Sequence, residues 1–203
     1  EGVENPADPD YLAAVRALCD ETGTLLIFDE IQTGMGRCGT LFAHEGYKIT
    51  PDIMTLAKAL ANGIPIGAML ATQEAATGFD FGSHGSTFGG TPLATAAALE
   101  VVNIISDQEF LDGVNERGAY LREKLLELKE KHPRILDIRG KGLLVGMEID
   151  TDGDKDAGFF VKNCFERGFI INGIQDKILR FVPPLIIDKT EIDRLVAVLD
   201  SLF

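Results

Sequence analysis

Apolar and polar positions run along this chain in blocks whose period changes several times. In YLAAVRALCDETG, residues 11–23, the apolar positions fall at helical spacing and Gly23 stands where a helix C-cap belongs. Residues 25–28, LLIF, are continuously apolar and end on Asp29 and Glu30. Such a run reads as a short strand of a parallel sheet, buried on both faces. Residues 82–105 pass from a glycine-rich loop into a helix with Pro92 near its start, as the first-turn preference for proline expects. From Ser106 the character changes. DQEFLDGVNERGAYLREKLLELKEKHP is a long amphipathic helix pattern with a solvated charged face, stopped by Pro133. ILDIRGKGLLVGMEI, FVKNCFERGFIINGI and KILRFVPPLII then read as strands with an intervening helix, and TEIDRLVAVLDSLF as a closing amphipathic helix with Thr190 as its N-cap. The pattern predicts an α/β region up to residue 105 and a small α+β domain from 106 to 203.

Composition narrows the field. The 203 residues carry a net charge of −13, which argues against nucleic acid as a partner, since that demands a basic face. No apolar run approaches a membrane span, and none reads as a signal peptide, although the chain does not begin with Met. Cys19, Cys38 and Cys164 are far apart, odd in number and without metal-ligand spacing, so a reducing cytoplasm is the expected setting.

The candidate chemistry lies in residues 25–70. Ligands gather at the carboxyl ends of parallel strands, where Asp29 and Glu30 stand. Lys58, in MTLAKALA and followed by Gly63, Pro65 and Gly67, has small and apolar neighbours. Burial there would push its amine toward the neutral, carbonyl-attacking form. A lysine amine together with an acid for a pyridine nitrogen is what pyridoxal 5′-phosphate (PLP) requires. Asp29 is the candidate acid, and breaking such a buried pair would cost roughly 3–5 kcal/mol. Taken singly, Lys58 reads as an ordinary helix lysine, and LLIFDE fits a Walker B segment equally well. The ATPase reading needs a GxxxxGK[ST] loop, which is absent here. A catalytically silent fragment is the other alternative.

Other residues are weighed the same way. The 82–91 loop offers backbone N–H groups that can wrap a phosphate. Its serines lack the pattern of a hydrolase elbow. DTDGDKD, at 150–156, fails as a calcium loop, because Lys155 takes the glycine position and Val161 the terminal glutamate position. Arg180, inside an apolar strand before two prolines, asks for an anion, and arginine grips a carboxylate bidentately. Arg37 reads as structural, His44 as a partly buried helix residue and Arg139 as a turn residue.

FDEIQTGMGR, TPDIMTLAKALANGIPIGAML and GSHGSTFGGTPLA, in that order, resemble the class III aminotransferases of the PLP-dependent transferase type I fold. The resemblance covers almost the whole chain. It implies the back half of the large PLP-binding domain (1–105) plus a small C-terminal α+β domain (106–203), with about as much sequence again upstream. It further implies that Lys58 bonds the cofactor, Asp29 holds its ring nitrogen, and Gln32 lies near its phenolic oxygen. Ser86 and Thr87 would reach the phosphate of a neighbouring subunit, which makes a homodimer with shared sites. Arg180 would bind the substrate α-carboxylate. The implied substrates are a small-molecule amino donor, N2-acetylornithine or a related ω-amine, and 2-oxoglutarate. Glu1 matches the glutamate of a glycine-rich turn in the family. Thr91 and Cys38 depart from it, since relatives usually carry Asn and Thr there.

Overall fold

A computed structural model describes Val3 and residues 9–151 and 155–203. Glu1 and residues 152–154 of the 150–156 loop lie outside the described residues. The chain divides into two compact units, Ala7–Leu111 and Asp112–Phe203, the second including Glu1–Pro6.

The first unit holds helix α1 (Pro9–Thr22), strands β1 (Ile27–Asp29), β2 (Ile53–Leu56) and β3 (Ala68–Ala71), a short α2 (Gln73–Ala76) and α3 (Pro92–Ile105). Strand β1 runs parallel to β2, and β3 lies antiparallel on its other side. Helix α1 ends as its pattern predicts. Gly23 takes a left-handed φ of +65°, and the N–H of Thr24 returns to the carbonyl of Cys19 at 2.9 Å. Asp52 ties this helix to the sheet by accepting from the N–H of Leu26 at 2.7 Å and from Arg16 at 2.8 Å.

The strand expected to be buried on both faces is buried on one. Leu26 is 8% exposed, whereas Leu25 and Ile27 are 50% and 57% exposed. Alternate side chains of a strand point to opposite faces, so the side shared by Leu25, Ile27 and Asp29 is open to solvent in this chain. An apolar run signals two covered faces only where there is a layer on each side.

The second unit takes in most of helix α4 (Gln108–Lys131), then strands β4 (Ile135–Lys141) and β5 (Leu144–Ile149), α5 (Ala157–Glu166), β6 (Asn172–Ile174), β7 (Ile178–Phe181) and α6 (Lys189–Asp200). Its four strands pair antiparallel in the order β4-β5-β7-β6. One face carries Val145, Met147 and Leu179, all fully buried together with Val114, Leu125, Phe160, Ile192 and Leu199. The other face carries Asp137, Arg139, Glu148 and Arg180, so these strands show the alternation of a half-polar sheet. Gly118 of α4 is required by close approach, because a Cβ there would run into the carbonyl of Gly142 in the β4–β5 turn.

Two expectations in this unit are corrected. Helix α6 is capped by Asp188, not Thr190. The Asp188 carboxylate accepts from the N–H of Glu191 at 2.8 Å, and Glu191 accepts from the N–H of Asp188 at 3.3 Å. The carboxylate reaches the free N–H groups from outside the helix, whereas Thr190 already lies within its first turn. Arg139 is a strand residue rather than a turn residue. It is buried against Asp137 at 3.1 Å and Glu148 at 2.7 Å.

Candidate active site

The parallel pairing of β1 with β2 brings the central candidates to one end of the sheet. Asp29 is the last residue of β1 and lies opposite Thr55 of β2. Three residues beyond Thr55 is Lys58. Both therefore stand at the carboxyl end of adjacent parallel strands, the end where α/β sheets present ligand groups. Asp29 is held from two directions: its Oδ1 accepts from the N–H of Ile31 at 3.0 Å and from the hydroxyl of Thr55 at 3.4 Å. Its carboxylate is exposed in this chain.

Glu30, next to it, has a different task. It is 3% exposed and accepts four contacts from the loop that follows. The hydroxyl of Thr33 donates at 2.6 Å, the N–H groups of Ala43 and His44 at 3.0 and 2.9 Å, and Nδ1 of His44 lies 3.1 Å away. The backbone N–H of Gly34 returns to the carbonyl of Glu30 at 2.9 Å. A Cβ at Gly34 would stand 2.8 Å from that same oxygen, so the turn closes only with glycine. This clamp holds the half-buried Gln32 just beyond the strand. His44 sits in a 3-10 helix, Ala43–Tyr47, as a partly buried helix residue.

Lys58 opens a second 3-10 turn, Lys58–Ala61, with a left-handed backbone of φ +47°. Few non-glycine residues adopt that region. The turn is anchored by Leu60 and Ala61, 6% and 2% exposed, and α3 packs against it, with Ala94 and Ala98 among its buried residues. The expectation of a buried lysine is corrected: Lys58 itself is exposed in this chain. Its apolar neighbours in sequence anchor the turn and leave the amine outside.

Helix α3 also carries the third group. Thr91 precedes its first turn with Pro92 inside it, and Ser86 and Thr87 lie exposed on the loop just before. A Cβ at Gly89 would stand 2.8 Å from that of Ser86, so the loop doubles back on itself only with glycine there. Asp29, Gln32, Lys58, Ser86 and Thr87 are thus all presented by one unit, whereas Arg180 belongs to the other. Arg180 sits half-buried in β7, opposite Gly146 of β5 and Asn172 of β6. A hollow of about 210 Å³ lined by Thr50, Pro51, Asp52 and Met54 lies at the amino end of β2, away from these groups.

The donor set fits PLP. A fixed carboxylate can hold a pyridine proton, an amine can bond a carbonyl carbon, and hydroxyls before a helix N-terminus can take a phosphate. Thr55 was the supporting residue that sequence reasoning missed, and Glu30, read there as a second carboxylate placed for chemistry, instead holds the loop that follows it. The signal for Thr55 was its place in DIMTL, but only strand register sets it opposite Asp29. Among the described residues no cluster of His, Cys, Asp and Glu could hold a metal, and no helix is long and apolar enough to cross a membrane.

The family model described as aminotransferase class-III matches residues 1–203. The acetylornithine aminotransferase of Caldanaerobacter subterraneus subsp. tengcongensis is 49% identical over 201 residues, covering 99% of this chain and 50% of its own length. That of Methanocaldococcus jannaschii is 49% identical over 203 residues, covering 100% and 50%. Among solved structures, the N-acetylornithine aminotransferase of Stenotrophomonas maltophilia K279a superposes with a TM-score of 0.86 at 36% identity, covering 97% of this chain and 51% of the other. An ornithine aminotransferase from Toxoplasma gondii, described with partial occupancy of PLP at its active site, gives 0.91 at 36% identity, covering 100% and 47%. The chain spans about half the length of the curated relatives it matches.

Proposed function

The chain belongs to the class III aminotransferases, and from that membership we propose that it forms part of an enzyme that moves the terminal amino group of N2-acetylornithine, or a related ω-amine, to 2-oxoglutarate with PLP as cofactor. The observation that carries the reading is the position of Asp29 at the carboxyl end of β1 and of Lys58 just beyond that of its parallel neighbour β2. When bound, PLP supplies an electron sink that stabilises negative charge on the substrate carbon.

The residues divide the work as follows. Lys58 Nζ bonds the cofactor at rest and, during turnover, takes the proton from the amine-bearing carbon of the donor. Asp29, already oriented by Ile31 and Thr55, keeps the proton on the pyridine nitrogen. Gln32 would hold the ring's phenolic oxygen. Ser86 and Thr87 reach the phosphate of a neighbouring subunit, so the active form is a homodimer with shared sites in the cytoplasm. Arg180 receives the donor's α-carboxylate as a bidentate partner. The two compact units support a division into the back of a large cofactor domain and a small C-terminal domain. Family membership removes the P-loop ATPase reading.

The test is borohydride reduction of the full-length protein loaded with PLP, followed by digestion and mass mapping. A phosphopyridoxyl group on Lys58 is expected, and Lys58→Ala is expected to lower kcat by at least about 10³-fold. Modification at a different lysine, or none, overturns the assignment.

A further inference from the structure

One side chain of the first unit fixes both ends of the loop that follows β1. Glu30 is 3% exposed, and its two oxygens are divided between donors from the near and far ends of that loop. Oε2 accepts from the Thr33 hydroxyl at 2.6 Å and from the Ala43 N–H at 3.0 Å. Oε1 accepts from the His44 N–H at 2.9 Å and faces Nδ1 of His44 at 3.1 Å. The His44 ring stacks on Phe42, 5.8 Å between centroids, and lies against Phe28 of β1 at 6.2 Å, so the far end returns to the strand it left. A buried carboxylate is tolerated only when its acceptor sites are filled. Glu30 is therefore committed to the loop, and Asp29 is the carboxylate left open to a ligand at this strand end.

The backbone of the same residue sets where the loop starts. The Glu30 N–H donates to the Thr55 carbonyl at 3.0 Å, which carries the pairing of β1 with β2 one step past Asp29 and toward Lys58. The Glu30 carbonyl accepts from the Gly34 N–H at 2.9 Å and closes a turn over residues 30–34. Two parts of the candidate site depend on that turn. The N–H of Ile31, inside it, donates to Oδ1 of Asp29 at 3.0 Å. Gln32, half-buried, lies between its ends. Asp29 thus takes its orientation, and Gln32 its position, from a turn that the Glu30 carboxylate clamps. Loosening the clamp would release both together.

We propose that Glu30 is a positioning residue for the cofactor: through one turn it sets the contact of Asp29 with the ring nitrogen and that of Gln32 with the phenolic oxygen, both in register with Lys58. The inference rests on the reading of Asp29 and Gln32 as the residues that hold those two atoms.

The test uses the full-length protein, freed of cofactor and then titrated with PLP carrying an isotope-labelled ring nitrogen. Three readouts are followed: the calorimetric Kd for PLP, the magnetic-resonance shift of the ring nitrogen, and the absorption band of the bound cofactor, which responds to its phenolic oxygen. Glu30→Gln keeps the shape but turns one acceptor oxygen into a donor. It is expected to raise Kd about tenfold, the scale of one lost hydrogen bond to a charged group. It should also move the ring nitrogen toward its unprotonated shift and displace the band. Gln32→Ala alone is expected to displace the band and raise Kd about threefold, leaving the ring nitrogen where it was. Added to Glu30→Gln it changes little further, because the turn that presents Gln32 is already loose; independent sites would multiply their effects instead.

Multiplied losses in the double variant overturn the inference. So does faster hydrogen exchange at Ala43 and His44 in Glu30→Gln with shift and band unmoved, since Glu30 would then be structural only. Asp29→Asn is the control. If it leaves the ring-nitrogen shift unaltered, the reading of Asp29 fails and the inference fails with it; if it moves the shift while Glu30→Gln does not, the inference alone fails. Should Glu30→Gln not fold, Thr33→Val removes one donor from Oε2 and leaves the carboxylate in place. It is expected to raise Kd about threefold and to move both signals in the same directions. A weaker Kd with neither signal moved overturns the inference.

Discussion

The two units use their apolar residues differently. In Asp112–Phe203 one face of a four-stranded sheet is sealed, with Val114, Leu125, Val145, Met147 and Phe160 at 0% exposure, and charge is confined to the opposite face. In Ala7–Leu111 the sheet has three strands, and Ile27, Met69, Leu70 and Leu99 are 57%, 46%, 44% and 63% exposed. That unit also carries left-handed backbone at Met35, Lys58 and Asn62, next to the strand ends that present Asp29, Gln32 and Lys58. A sheet sealed by its own helices stabilises itself. A unit that must present reachable groups at its strand ends keeps an open face and anchors its loops with buried clamps such as Glu30.

The largest effect expected within this comparison is at Leu125. Replacing that fully buried side chain by alanine should cost about 3 kcal/mol in denaturant unfolding, whereas Ile27→Ala in this chain should cost less than about 1 kcal/mol. Equal costs would mean that the open face is as well packed as the sealed one. Next comes the clamp. Glu30 accepts from Thr33, Ala43 and His44 with both oxygens, and a glutamine side chain in its place would offer only one acceptor oxygen. Glu30→Gln is expected to lose about 2 kcal/mol and to speed hydrogen exchange at Ala43 and His44, while exchange in β5 is unchanged. Unaltered exchange at those amides would remove the clamp from the account.

A smaller effect separates the two candidate caps of α6. Asp188→Ala should cost about 1 kcal/mol and Thr190→Ala close to nothing, read as the shift of the unfolding midpoint. The smallest is a pH effect with one carboxylate in each unit. The hydrogen bond from the Leu26 N–H, then Arg16, holds Asp52 below the usual aspartate range; His132, then Lys131, does the same for Asp200. A depressed folded pKa gives stability that is present above the unfolded value, about 3.9, and lost as pH falls through the folded one. Asp200→Asn should therefore lower the neutral plateau slightly and flatten the acid limb of the stability–pH curve below about pH 4. An unchanged acid limb would show that the surface pair contributes nothing measurable.

Much of this architecture was legible in the chain. The helix ending at Gly23, the proline at the start of α3, the long α4 stopping before Pro133 and the polar–apolar alternation of the last strands all follow local rules with short reach. The candidate site was legible as residue types in order, because the PLP chemistry that the family resemblance implies needs an acid at a strand end, an amine and a phosphate loop. What failed, failed for reasons of reach. Lys58 looked buried because its sequence neighbours are apolar, but Leu60 and Ala61 point inward and leave it outside. Thr190 looked like a cap because hydroxyls cap helices, but the Asp188 carboxylate lies two residues earlier and reaches the free N–H groups first. Arg139 looked like a turn residue because glycines follow it.

Local sequence thus specified which segments turn, which stay straight and which residues can carry charge or bond a carbonyl, since those properties depend on a few neighbouring side chains. Pairing across the chain specified the rest. The opposition of Asp29 to Thr55, the closure of the 31–44 loop on Glu30 and the seating of Val3 over Gly146 between Arg139 and Arg180 join residues 26, 14 and 143 positions apart. Strand register and close packing act through space, and no period within a single segment encodes them.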